Sequence, residues 1–311
     1  MRTLVTGAAG FIGSRLCHRL VEEGHDVVGF DDLSEGPLDN LSDSPEVAFV
    51  EADLRDEQAI DRAASGCDVI FHEAAKRSVP RSLAEPLLTT DVNVRGTVNV
   101  LEAARHAGAR LVYASSSSVY GDQETLPLHE GMLPAPKSPY AASKLADEAF
   151  AVAYHRSLHV PSIGLRYFNV YGPRQDPKSE YAAVVPRFIT ACVTGGRPVI
   201  HGDGEQSRDF AFVDDVVEAN VLAARAKEDA FGRAFNVGGG GEPTSVNRLL
   251  EIVAGLTGAT PDPIREPGRE GDMRATQADL SQVREALGLK PSVDIQEGLR
   301  RTVEWFSKET A

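Results

Sequence analysis

The chain has 311 residues, 42% hydrophobic and 25% charged, a globular composition at a length that predicts two lobes around one cleft. Its net charge of −14 leaves no basic patch to release counterions from phosphates, which excludes nonspecific nucleic-acid binding. No apolar run approaches the ~18 residues of a membrane span. Met1 leads straight into an apolar strand rather than a signal peptide, and Cys17, Cys67 and Cys192 are scattered, so reduced thiols and a cytoplasmic location are expected. Neither Cys17-His18 nor the other histidines have metal-ligand spacing, and no metal is expected.

From residue 1 to about 170 the pattern alternates. Apolar runs at 3–6, 27–30, 47–50, 68–71, 110–114 and 162–167 predict strands, and the stretches 11–23, 56–65, 85–107 and 139–158 predict helices. This βαβα order predicts an α/β fold with a doubly wound parallel sheet of the Rossmann type. The first strand–helix link carries Gly7, Gly10 and Gly13, which suit a tight turn, a close backbone approach and close helix–strand packing. The helix N-terminus that follows is placed to face a pyrophosphate. The second run ends at Asp31-Asp32, eighteen residues past Gly13. An acid there accepts hydrogen bonds from the adenine ribose and disfavours a 2′-phosphate, so NAD is expected rather than NADP.

Tyr140 and Lys144 are four apart on the 139–158 helix, which starts with Pro139 behind Ser138 as a cap. An ammonium beside a phenol favours the phenolate, and such a tyrosine exchanges a proton with an alcohol while a nearby serine hydroxyl shares the hydrogen bond. The run Ser115 to Ser118 lies upstream to provide that serine. After residue 170 the regularity breaks. A turn-rich segment at 171–177 precedes a helix at 182–194, a strand near 198–201, a loop at 202–208 and a helix at 214–226. Beyond that, the sequence predicts only a glycine loop at 238–241 and an irregular stretch at 261–271. Three loop arginines, Arg174, Arg208 and Arg269, are of the type that clamps a diphosphate through paired hydrogen bonds.

The segments Thr6–Ser14, Ser115–Gly121, Ser138–Lys144, Leu165–Arg174 and Ser207–Phe210 together resemble the extended short-chain dehydrogenase/reductase family over nearly the whole chain. Within it, the chain is similar to the nucleotide-sugar 4-epimerases that act on UDP-glucose and UDP-N-acetylglucosamine. The segments 174–177, 181–186 and 269–272 are similar to the latter group. The resemblance implies NAD as cofactor, a UDP-sugar as substrate and a homodimer formed through the helices at 85–107 and 139–158. It makes Tyr140 the base and acid, Lys144 its electrostatic partner, and Ser116 the hydroxyl that shares the sugar proton, with the register in the serine run open by one. Cofactor contacts are implied for Gly7, Gly10, Phe11, Ile12, Gly13, Asp31, Asp32, Asp53, Leu54, Asn93 and Tyr167. Sugar-nucleotide contacts are implied for Ser78, Ser117, Asn169, Gln175, Arg208, Arg269, Asp272 and Thr276.

The implied domains are a cofactor domain at 1–168, to which about 198–228 returns, and a smaller substrate-binding domain from 169–197 and 229–311. Sister dehydratases and decarboxylases carry an acid inside the motif that here reads Ser115 to Gly121 without one. Hydride return, and hence epimerisation, is what remains. Uronate epimerase or decarboxylase activity, and a non-catalytic NAD sensor, stand as alternatives. Lys76-Arg77 departs from the family pattern; at least one of the two is expected to point at phosphate or solvent.

Overall fold

The computed structural model describes residues 1–177, 183–268 and 274–309. Six strands follow the predicted runs closely: β1 Arg2–Thr6, β2 Asp26–Asp31, β3 Ala48–Glu51, β4 Val69–His72, β5 Arg110–Ser116 and β6 Ser162–Tyr167. They are near-continuous apolar runs because helices cover both faces of the sheet. The first helices are α1 Phe11–Glu22, α2 Glu57–Ala64, α3 Val79–Ala84 and α4 Pro86–Thr90. A π turn at Asp91–Arg95, with helical backbone angles at both of its junctions, joins α4 to α5 Gly96–Ala107, so the stretch expected as one helix at 85–107 is helical from Pro86 to Ala107 with a π segment inside it. The helix α6 Pro139–Leu158 starts where Ser138 accepts a hydrogen bond from the Ala141 N–H, as a capping serine does.

The second half departs more from expectation. α7 Val184–Thr194, β7 Val199–His201, β8 Ser207–Arg208 and α8 Val213–Ala224 are followed by β9 Arg233–Val237, which joins the main sheet beyond the segment expected to return to it. β10 Thr244–Ser245 pairs with β8, and β11 Ile264–Glu266 pairs with β7, so the stretch predicted to be irregular contains a strand. Three further helices, α9 Val246–Thr257, α10 Ser281–Leu287 and α11 Ile295–Glu309, complete the chain.

The main sheet is parallel throughout, in the order β3-β2-β1-β4-β5-β6-β9. One face packs on α1 and α8 through Leu16, Leu20, Val217 and Val221; the other packs on α2 and α5 through Ile60, Ala63, Val100 and Leu101. A separate core of Phe188, Ile189, Leu249, Val253, Leu299 and Phe306 joins α7, α9 and α11. The strand order reverses between β1 and β4, and such switch points open a crevice at the carboxyl ends of the strands. No helix among the described residues is long and apolar enough to cross a membrane.

Candidate active site

The carboxyl ends of β1, β2, β4, β5 and β6 open into one cleft of about 1420 Å³, roofed by residues of the smaller lobe. At its floor Gly7 has φ +70°, and a Cβ there would meet the Ala74 nitrogen at 2.7 Å. A Cβ on Gly13 would stand 2.0 Å from the Gly7 carbonyl oxygen, so both positions require glycine. No side chain caps the start of α1, and Phe11, Ile12 and Gly13 line the cleft, which leaves first-turn N–H groups available to an anion. At the end of β2, Asp31 accepts from the N–H groups of Ala9 (3.0 Å) and Leu33 (2.8 Å), while burial pushes its carboxyl up. Asp32, Asp53 and Leu54 line the same end. Asp53 accepts from Nε (3.0 Å) and Nη2 (2.6 Å) along one edge of the Arg55 guanidinium, which keeps its carboxyl below the usual range. An uncapped helix start, a glycine cradle and an acid at the second strand suit a dinucleotide.

Tyr140, Lys144 and the serine run line the same cleft. Ser116 accepts hydrogen bonds from the Ser118 N–H (3.1 Å) and hydroxyl (2.9 Å) and faces the cleft with Ser117; Ser115 is buried and donates to Glu148 at 2.5 Å. Lys144 is buried, donating from Nζ to the Ala114 carbonyl (3.0 Å) and to Asp147 (3.2 Å). The Tyr167 hydroxyl donates to Glu73 at 2.8 Å and accepts from Asn220 at 2.8 Å.

Across the roof, Asn169, Gln175, Arg208 and Thr276 line the cleft. Asn169 has φ +21° and donates to the Asp209 carbonyl at 3.1 Å. Thr276, fully buried, accepts from the Asp209 N–H at 3.3 Å and from Asn169 at 3.4 Å. It sits five residues ahead of α10, so it belongs to the cleft wall rather than to a helix cap. Gln175 donates to the Val170 carbonyl at 3.0 Å, and its Oε1 is buried without a partner.

Two expected contacts are made elsewhere. Ser78 caps α3, accepting from the Arg81 N–H at 3.2 Å, and does not line the cleft. Asn93, buried in the π turn, uses its amide on the backbone of Lys76 (2.8 and 3.1 Å) and on Ser143 (2.9 Å). It fixes the β4 loop from behind rather than facing the cleft. Arg174, a diphosphate-clamp type in the sequence, does line the cleft, where its guanidinium donates to the Asn40 carbonyl (2.8 Å) and to Asp43. Lys76 donates to Ser34 at 2.6 Å while Arg77 is exposed, as expected for one of that pair. Arg269 and Asp272 lie outside the described residues.

Sequence reasoning missed Glu73. It lines the cleft beside Lys144, its Oε2 is buried without a partner, and burial pushes its carboxyl up to about 7. The ordinary glutamate value is lower, so the folded state holds this proton more tightly and loses stability as pH rises through about 7. Glu73→Gln removes the buried charge while keeping an oxygen for Tyr167. The variant is expected to melt with the wild type near pH ~4.5 and several degrees above it at pH ~8.5. A gap that ignores pH would refute the burial account.

The sheet order and the glycine cradle define a dinucleotide-binding α/β protein. The chain belongs to the NAD dependent epimerase/dehydratase family, whose model matches residues 3–238. It is 46% identical over its whole length to the UDP-glucose 4-epimerase of Mycolicibacterium smegmatis, itself covered completely. Among solved structures, UDP-glucose 4-epimerase from Thermotoga maritima with UDP-glucose superposes with a TM-score of 0.95 at 37% identity, covering all of both chains. The UDP-N-acetylglucosamine 4-epimerase of Methanobrevibacter ruminantium, in complex with UDP-N-acetylmuramic acid, superposes with a TM-score of 0.94 at 37% identity, covering 99% of this chain and 98% of that one. Relatives named as a UDP-glucuronate 4-epimerase and a UDP-N-acetyl-alpha-D-glucosaminuronate decarboxylase also align along nearly the whole chain, at 35% and 30% identity.

Proposed function

We propose that the protein inverts carbon 4 of UDP-hexoses, interconverting UDP-glucose with UDP-galactose and the corresponding N-acetylated pair, with NAD retained in the cleft. The observation that carries this reading is the meeting of Tyr140, Lys144 and Ser116 in one cleft with the Gly7–Gly13 cradle, beside a 115–121 segment that holds no acid. The chemistry NAD supplies when bound is reversible hydride acceptance at the sugar carbon. The first-turn N–H groups of α1 hold its pyrophosphate, and Asp31 with Asp32, Asp53 and Leu54 holds its adenosine. The Asp31 carboxylate repels a 2′-phosphate.

Tyr140, as the phenolate, takes the proton of the sugar 4-hydroxyl and returns it to the same oxygen once the sugar has presented its other face, with Ser116 sharing that hydrogen bond. Lys144 supports the phenolate. Asn169 and Arg208, with Arg269, hold the UDP diphosphate, and Ser117 and Gln175 contact the sugar. Anchoring the nucleotide far from the reacting carbon offsets the cost of a sugar loose enough to turn over. Two copies meet through the helices at 85–107 and 139–158, where Leu87 and Phe150 are exposed.

Thr276 sets the room beside the sugar's 2-substituent. Threonine leaves space for an acetamido group that a tyrosine ring would fill. Purified protein incubated without added cofactor is expected to convert both UDP-galactose and UDP-N-acetylgalactosamine, and to release NAD(H) on denaturation. Thr276→Tyr is expected to lower kcat/KM for the acetylated pair by roughly tenfold or more while sparing the other pair. Activity strictly dependent on added NADP would overturn the epimerase reading; equal losses on both pairs would overturn only the gate.

A further inference from the structure

The catalytic-type lysine does not stand alone in its pocket. Lys144 and Asp147 lie three residues apart on α6, are 2% and 1% exposed, and are joined at 3.2 Å. An ammonium has three N–H donors. Two of those on Lys144 are held, by the Ala114 carbonyl and by Asp147 Oδ2, and the side chain lines the cleft with Tyr140. The fixed pair therefore leaves one donor for the cleft side. An unpaired ammonium this deeply buried sheds its proton easily, because burial disfavours the charged form.

We propose that Asp147 is a positioning residue: it keeps Lys144 protonated and fixes its ammonium toward Tyr140, so that the lysine acts as a cation across the working pH range. This rests on the roles given above to Tyr140 and Lys144. Burial is the largest influence on Lys144 and acts to lower its affinity for a proton; the Asp147 charge is the strongest influence opposing it, and the net direction is up. Asp147 bears the cost of burial: burial pushes its carboxyl up to about 6, against the Lys144 charge and the hydrogen bonds from Lys144 and the Thr97 hydroxyl, which act to lower it.

The other groups facing the pair leave Asp147 as its counter-charge. On α6, Glu148 is committed to Arg166 of β6 at 2.7 Å. Behind the pair on β5, burial drives the Tyr113 phenol well up, so it stays neutral. On β4, burial drives His72 down to about 3, so it is also neutral; its ring contacts the hydroxyls of Thr6 (2.7 Å) and Thr97 of α5 (3.0 Å). Glu73 also faces Lys144 from the end of β4, but more weakly than Asp147 does, and its remaining contact is with Tyr167.

The test is Asp147→Asn, which keeps the shape and removes the charge. In the holoenzyme, kcat is expected to hold near neutrality and to fall at least tenfold between about pH 8 and pH 10, where the wild type stays level. A readout independent of activity accompanies it. The variant's Lys144 binds its proton less tightly when folded than when unfolded, so its melting temperature is expected to approach that of the wild type as pH rises from about 7 to about 10. If Asp147→Asn folds poorly, Lys144→Met/Asp147→Asn is expected to recover most of the lost stability, because the cost lies in an uncompensated ammonium. A pH-independent loss of kcat and of melting temperature, with no recovery in the double variant, would make Asp147 a packing residue and overturn the proposal. Unchanged epimerase activity in the wild type would then still stand, so the two readings fail separately.

Discussion

Tyr140→Phe is expected to lower kcat for UDP-galactose by roughly 10²–10⁴, the usual worth of a positioned proton-transfer group. The substitution keeps the ring and its packing on α6 and removes only the ionisable oxygen. The surrounding arrangement is built by other residues and survives it. Lys144 stays tied to Ala114 and Asp147, and Ser116 to Ser118. Tyr140 takes no part in the glycine cradle, which Gly7, Gly13 and Ala74 build, so the NAD(H) released on denaturation should match the wild type. That combination separates loss of chemistry from loss of the site. Near-normal turnover would return Tyr140 to an ordinary helix-face residue.

The readable part of this chain is the part built from local rules. β1, β2, β4, β5 and β6 are buried on both faces, so each is a nearly unbroken apolar run, and the glycine turn and Ser138-Pro139 helix start are fixed by neighbours in sequence. β9 is hidden because its residues serve long-range purposes. Arg233 stacks over Phe235 at 4.7 Å, and Asn236 reaches Leu128, Asp279 and the Tyr120 hydroxyl, so the segment shows no apolar period.

The same distinction divides the site. Tyr140, Lys144 and the serine run are contiguous motifs. Glu73 becomes notable only because Tyr167, 94 residues away, meets its carboxyl, and Arg174 becomes a strut only because Asn40 lies opposite, 134 residues away. Ser78 and Asn93 sit in the right segment, but a helix start and a loop carbonyl claim their side chains first. Residue type and position in the chain do not reveal such competition.

Arg166→Leu is expected to cost ~3–5 kcal/mol of folding stability, the range for removing one member of a buried ion pair. Arg166 and Glu148 are 6% and 7% exposed and joined by two parallel hydrogen bonds of 2.8 and 2.7 Å. The same guanidinium donates to the Tyr120 hydroxyl at 2.9 Å and lies 4.8 Å over its ring. Tyr120 in turn donates to Asn236, so β6, β9, α6 and the serine loop meet at one arginine. Leucine leaves the Glu148 carboxylate with only the Ser115 hydroxyl in a site closed to water. Melting should therefore fall by on the order of 10 °C, and kcat should fall as well, because Ser115 precedes Ser116 in the same strand end. Arg166→Leu/Glu148→Leu should regain much of the stability, since the penalty belongs to the orphaned charge rather than to the missing pair. Differential scanning calorimetry of the three proteins decides it. A single-variant loss below about 1 kcal/mol would mean that water reaches Glu148, and that the serine loop is held by backbone pairing alone.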